Sequence, residues 1–530
     1  MSRPGTTLLR RGTTAALVTS LSLVMVTSPA DAAKPQAPTA ASVGANTVET
    51  IRHGLATGAF TCTELITAYL QRINAYDKQG PDLNAVITLN PRALEQARTI
   101  DEQRARHAAP APASCIPVVV KDVINTDDLP TTEGSALFDH WTPAENAGVV
   151  DDLENAGAIV LAKTNLDDFA AAVYGISSLA GPMHNPYDLQ RTVGGSSGGS
   201  ALAVAAGYAP LAIGTDTGGS LRIPAALTGV VTIRPTLGLV SRSGIFPRAL
   251  TQDTAGPIAA NVEDAAFGLD LIAGYDSSDP VTAAANGKIP AKGYASSARG
   301  GRLDGMRIGL VTHGLSIWGD QPGGPVVQLL EKAAGRLEAL GATVVPLDPP
   351  PSSLLGASSV ITYESAHDVN SFLAAQRNPP VSSFQQLYDS GSYTPYAKES
   401  YDREIQVDPD TLAQNTGYQA ALAARAQFQQ WTLDLMAGNR LDAIAYPSAA
   451  QTADLIGKEQ AGLFTRWSEN TGFPAIGVPM GYAQSSTGTD LPASVEFLGR
   501  PFDEPTIIRV GSAYENASHL RVAPPLPLIK

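Results

Sequence analysis

Residues Thr192 to Ser220 read TVGGSSGGSALAVAAGYAPLAIGTDTGGS. Two Gly-Gly pairs enclose Ser196 and Ser197, and a third, Gly218-Gly219, comes just before Ser220. Between these turns, Ser200 to Gly207 (SALAVAAG) reads as a helix of small residues and Pro210 to Gly214 (PLAIG) as a buried strand. Glycine lets backbone approach a ligand closely, and successive N–H groups in such a turn can converge on an anion. A hydroxyl directly after that turn lies where a nucleophile must be if the same amides are to receive its oxyanion.

The same alternation extends outward on both sides. Ile116 to Val120 (IPVVV) and Ala158 to Ala162 (AIVLA) are strand candidates upstream; Met306 to Val311 (MRIGLV) and Ala342 to Leu347 (ATVVPL), with a helix between them, continue downstream. This predicts an α/β fold whose functional loops leave the strand ends. N-terminal to it, Thr61 to Leu65 (TCTEL) reads as a capping box with Thr61 at the N-cap and Glu64 at N3. A second helix is expected to start at Pro91 with Asn90 as its cap. Tyr275 to Gly301 reads as a polar surface connection. Pro349 to Asp408 has irregular periodicity and reads as a variable region over the site.

What would activate a serine here? Gly195 to Gly199 matches the G-x-S-x-G nucleophile elbow, with Ser197 as the nucleophile, but an elbow needs an apolar strand directly before it. His184 to Thr192 (HNPYDLQRT) carries a proline and charges, and the downstream histidines His313, His367 and His519 have no distinctive setting. A G-K-[ST] ending for a phosphate loop is missing. Lys121 ends the apolar run Val118 to Val120, where desolvation favours its neutral form. Lowering its pKa from about 10.4 to about 7.5 costs roughly 4 kcal/mol, which the fold must supply. Neutral lysine serves as a general base in Ser-Lys variants of the catalytic triad. On that segment alone, an ion pair of Lys121 with Asp122 is the competing reading.

Three segments in order, PVVVKD (Pro117 to Asp122), GGSSGG (Gly194 to Gly199) and GTDTGGSLRIPAA (Gly214 to Ala226), together resemble the amidase signature family. So do residues Leu83 to Asp101, Ala162 to Ala170, Gly181 to Asp188, Asp253 to Ala266, Thr471 to Pro479 and Glu496 to Glu504. The resemblance implies a central mixed twisted sheet with helices on both faces. It implies Ser220 as nucleophile, Ser196 (held by a cis peptide bond) as proton relay and Lys121 as base. Backbone amides of Thr217, Gly218, Gly219 and Ser220 would form the oxyanion hole, with Ser197, Asp216 and Arg222 as structural support. The implied reaction is hydrolysis of a carboxamide C–N bond in a small-molecule or peptide substrate. A peptide amidase, an ester hydrolase, or an amidotransferase-like subunit working with partners are the alternatives. The Cys-Ser-Cys pattern of nitrile-handling amidases is absent; Ala201 and Thr228 stand in that neighbourhood.

Composition fits a globular enzyme: 44% hydrophobic, 16% charged, net charge −14 and acidic residues dispersed. Binding to nucleic acid or anionic membranes needs clustered Lys and Arg, which this chain lacks. His53, His107, His140 and His184 lack ligand spacing, so no metal and no cofactor are expected. Residues 1–32 read as a signal peptide: Arg3, Arg10 and Arg11, then an apolar run from Ala15 to Val26, then Ala30-Asp31-Ala32. This predicts a secreted protein with no membrane anchor, as a monomer or homodimer. The two cysteines, Cys62 and Cys115, are then candidates for a disulfide, with two separate buried thiols as the equal alternative. Residues 33–45 are expected to be extended or disordered. Residues 46–530 are expected to form one amidase domain, with a helical part at 46–110, the signature core at 111–270, the variable substrate-site region at about 350–440 and a C-terminal core part at 441–530.

Overall fold

In the computed structural model, residues 37–313 and 324–529 are described; the expected signal peptide lies outside them. The strands are β1 (Val86–Leu89), β2 (Pro117–Lys121), β3 (Ile159–Thr164), β4 (Ile176–Ser177), β5 (Gly181–Pro182), β6 (Leu211–Asp216), β7 (Val231–Arg234), β8 (Thr254–Ala259), β9 (Arg307–Leu310), β10 (Thr343–Pro346), β11 (Ala443–Pro447), β12 (Ala475–Gln484) and β13 (Asp490–Leu498). Strands β4 and β5 form a separate two-stranded ribbon. The other 11 make one sheet in the order β1-β3-β2-β6-β8-β7-β12-β13-β11-β9-β10. It is mixed: β2 runs parallel to both β3 and β6, and β9 to β10 and β11, while the remaining pairs are antiparallel.

Side-chain alternation along β6 sorts the helices onto opposite faces. Leu211 packs against Gly268 of helix Val262–Ile272, whereas Gly214, of opposite parity, faces Ser197 at the start of helix Gly198–Ala205. Residues 37–529 belong to one compact unit. Among the described residues no helix is long and apolar enough to cross a membrane.

The Thr61 capping box forms as expected, opening helix Cys62–Tyr76: the Thr61 amide donates to Glu64 Oε2 at 2.8 Å, and the Glu64 amide donates to Thr61 Oγ1 at 3.1 Å. Cys62 and Cys115 are joined by a disulfide with Cα atoms 5.8 Å apart, which ties that helix to the chain two residues before β2.

Asn90 does accept from the Arg92 amide, at 2.8 Å, while donating to the Val160 carbonyl, but the helix begins at Ala93, two residues later than expected. Two expectations need correction. Residues 37–45 are not extended throughout: Val43–Ala45 is a 3₁₀ turn with Val43 buried, and Arg72 donates to the Ala40 carbonyl at 2.9 Å. The region from Pro349 to Asp408 is helical (Ser352–Ala357, Ile361–Ala375, Phe384–Ser390, Pro395–Glu404). Its helices are separately begun, among them by Ser383 capping the Gln386 amide and by Pro395 at a first turn, so no single period runs through it.

Candidate active site

Parallel pairing positions the base. Val120 lies opposite Ile213, which puts Lys121 level with Gly214, on the face where Gly214 meets the Ser197 side chain. Only glycine fits at 214, because a Cβ there would lie 2.7 Å from Ser197 Oγ. Ser197 then staples the loop to β6: its hydroxyl donates to the Thr215 carbonyl at 3.0 Å and accepts from the Thr215 amide at 3.1 Å. Its own amide donates to the Ser220 carbonyl at 3.1 Å, joining the two glycine-flanked turns. The Gly195–Ser196 peptide bond is cis.

Lys121 Nζ lies 2.7 Å from Ser196 Oγ and 2.8 Å from Thr215 Oγ1. It is wholly buried, and burial lowers its pKa to about 7 against the opposing pull of Asp167, Asp216, Asp253 and Glu133. The ion pair of Lys121 with Asp122 is not formed: Asp122 pairs with Lys163 at 2.9 Å, itself fully buried. Ser196 is fully buried, whereas Ser220 keeps 5% of its surface exposed, so of the two it is Ser220 that a substrate can reach.

Asp216 braces the turn before Ser220. It accepts from the Gly219 amide at 3.0 Å and the Leu221 amide at 3.1 Å, and is paired with Arg222 (3.0 Å) and Arg234 (3.1 Å). Burial alone would raise its pKa, but the two guanidinium groups outweigh it and hold the carboxylate well below the usual range. Arg222 continues the network to Glu496 at 3.0 Å and Glu469 at 3.4 Å. Gly219, expected among the oxyanion donors, gives its amide to Asp216. Among the described residues the amides of Thr217, Gly218 and Ser220 carry no bond to the protein. The turn is held from outside by Gln252, which donates to the Thr217 carbonyl at 3.1 Å, and by Thr217 donating to Asp253. Thr465 donates to the Gly218 carbonyl at 3.3 Å. A Cβ on Gly218 would lie 3.6 Å from Ile361 Cδ1, so the region from 350 to 440 does reach the turn.

Thr215, Arg234, Gln252, Asp253, Thr465, Glu469 and Glu496 join the site without a mark of their own in the sequence. Thr215, Asp253 and Glu496 do stand in segments that resemble the family; the others carry no spacing signal, because sheet order rather than sequence distance brings them in.

A buried lysine, two serines and a glycine turn meet here, the groups that lysine-dependent variants of the serine triad use. The chain belongs to the amidase family, whose model matches residues 64–508, and is an amidohydrolase. It is 35% identical to the A subunit of glutamyl-tRNA(Gln) amidotransferase from Anaeromyxobacter sp. (strain K), over 89% of this chain and 96% of that protein. Identity to the protein of the same name from Streptomyces coelicolor is 34%, over 87% and 94%. Among solved structures it resembles native peptide amidase from Stenotrophomonas maltophilia, with TM-score 0.81, 33% identity, and 91% and 99% of the two chains covered. An amidase family protein from Bacillus anthracis aligns with TM-score 0.79 and 31% identity, over 91% and 92%.

Proposed function

We propose that the chain hydrolyses carboxamides through an acyl-enzyme on Ser220, with Ser196 as relay and Lys121 as base. The observation that carries this reading is the wholly buried Lys121 amine, its pKa lowered to about 7, at 2.7 Å from Ser196 Oγ. A neutral amine there accepts the Ser196 proton while Ser196 takes the proton of Ser220. Ser220 Oγ bonds to the carbonyl carbon, and the oxyanion is received by the amides of Thr217, Gly218 and Ser220. The proton held on Lys121 then returns through Ser196 to the leaving nitrogen, the C–N bond breaks and the amine departs. Water attacks the ester along the same relay, releasing the acid and restoring the Ser220 hydroxyl.

The substrate class is a small or peptide carboxamide, a reading supported by the likeness to peptide amidase over nearly the whole of both chains. The curated relatives named as amidotransferase subunits support a second reading, in which the chain passes ammonia to a partner. Export is supported by the Cys62–Cys115 bridge, since disulfides persist in oxidising compartments. The test is incubation of the purified single chain with a fluorophosphonate and with a panel of carboxamides, reading ammonia and amine release. We expect a single label on Ser220, none in Ser220→Ala, and turnover without any added protein. Label on Ser197, or turnover only with a partner chain, would overturn the assignment.

A further inference from the structure

Lys121 shares its buried chamber with a carboxylate that the proton relay does not use. Asp167 follows β3, whose Thr164 lies opposite Lys121, so the topology carries it to the end of the base's own strand pair. It is fully buried, and among the described residues it forms no ion pair within 4.0 Å. Its Oδ1 accepts from the Tyr174 amide at 2.8 Å and the Gly175 amide at 3.0 Å, an anchorage made of backbone alone. Its Oδ2 also accepts from the Gly175 amide, at 3.2 Å, and lies against Gly195: a Cβ on that glycine would fall 1.8 Å from the oxygen. Gly195 is the residue bonded to Ser196. The carboxylate therefore fills the space behind the relay serine, fixed on its far side to the 174–175 amides.

We propose that Asp167 is a positioning residue, a buried carboxylate that seats Gly195 and so holds the Ser196 hydroxyl against Lys121, and that its charge helps set how readily the amine gives up its proton. The second half rests on Lys121 being the base. Four carboxyl groups act on that amine: Asp167, Asp216, Asp253 and Glu133. Asp216 is matched by Arg222 and Arg234. Asp253 is hydrogen-bonded by Thr217 and by the amides of Arg248 and Ala249. Glu133 is buried with neither carboxyl oxygen partnered, and burial pushes its pKa well up; burial raises that of Asp167 as well, to about 7, against the amides of Tyr174, Gly175 and Ile176. Asp167 is the one of the four whose carboxylate both faces the relay loop and lacks a cation. Asp168 beside it is directed away, to Ser178 and to the Thr394 amide.

Asp167→Asn separates these roles. Asparagine has the same shape, and its Oδ1 can keep both backbone amides, so the loop stays seated while the charge is lost. The experiment is the pH dependence of kcat/KM on a chromogenic anilide, with thermal unfolding of each variant and Lys121→Arg run in parallel. In Asp167→Asn we expect a folded protein whose acid limb moves by about one unit to lower pH, because a lysine without its opposing charge loses its proton sooner. Asp167→Glu keeps the charge but drives the longer side chain into Gly195; it should lower kcat at least tenfold, with the limb staying near its wild-type position. That variant also carries the test if Asp167→Asn does not fold. An unmoved limb in folded Asp167→Asn, or wild-type kcat in Asp167→Glu, overturns the proposal. If Lys121→Arg retains most of the rate, the base assignment fails instead, and the two failures are told apart.

Discussion

Thr215 offers the finest test of the site at the residue scale. Its backbone is stapled to Ser197 and its hydroxyl lies 2.8 Å from Lys121 Nζ, so its side chain is placed to orient the amine. Thr215→Val keeps the volume and removes that one contact. A lost hydrogen bond of this kind is worth about 1 kcal/mol, or roughly fivefold when spent on orientation. kcat on an anilide should therefore fall by about that factor with KM little changed. A loss as large as that of Ser196→Ala would mean Thr215 carries protons itself. The same residue shows where sequence reading stops. Lys121, Ser196 and Ser220 are legible because each sits at a marked place, an apolar strand end or a glycine-flanked turn. Thr215 stands inside GTDTGG with no such mark, since nothing in its spacing says that β6 lies beside β2.

Between elements, the Asp216–Arg222–Arg234 cluster and the Cys62–Cys115 bridge each tie separate parts of the chain together. Arg222 joins the turn before Ser220 to β13 through Glu496 and to helix Arg466–Thr471 through Glu469. Arg222→Met should destabilise by about 3–5 kcal/mol, because it leaves buried carboxylates uncompensated. A urea midpoint unchanged from wild type would refute that. Cys62→Ser with Cys115→Ser opens a loop spanning 53 residues, worth about 4 kcal/mol in the chain-entropy account. The midpoint should fall accordingly, while the Lys121–Ser196 geometry, built on β2 and β6, is left in place. Strand cores such as Val118–Val120 and Ile159–Leu161 declare themselves by apolar runs. Helix starts do so only where a side chain caps them, as at Thr61. Asn90 marks the turn but not the helix start, which falls at Ala93, and between Pro349 and Asp408 each helix begins anew, so no single period runs through them.

For the whole molecule, the neutral lysine is a cost that every part of the fold helps to carry, and that cost has a pH signature. Lys121 has a folded pKa of about 7 against 10.5 for the free side chain. Below pH 7 both states hold the proton, and the folded state bears the full penalty of a buried cation. Between pH 7 and 10.5 the unfolded chain still binds the proton and the folded one does not, so stability rises with pH across that window. The gain over those units amounts to about 5 kcal/mol. Lys121→Met, of similar length and without charge, removes this contribution. Urea midpoints at about pH 7 and about pH 10 should therefore separate the two proteins. The variant gains most over wild type near neutrality, and the gap narrows as pH rises. Two curves that stay parallel would mean that Lys121 is charged in the folded protein near neutrality, and a charged lysine cannot take the proton of Ser196.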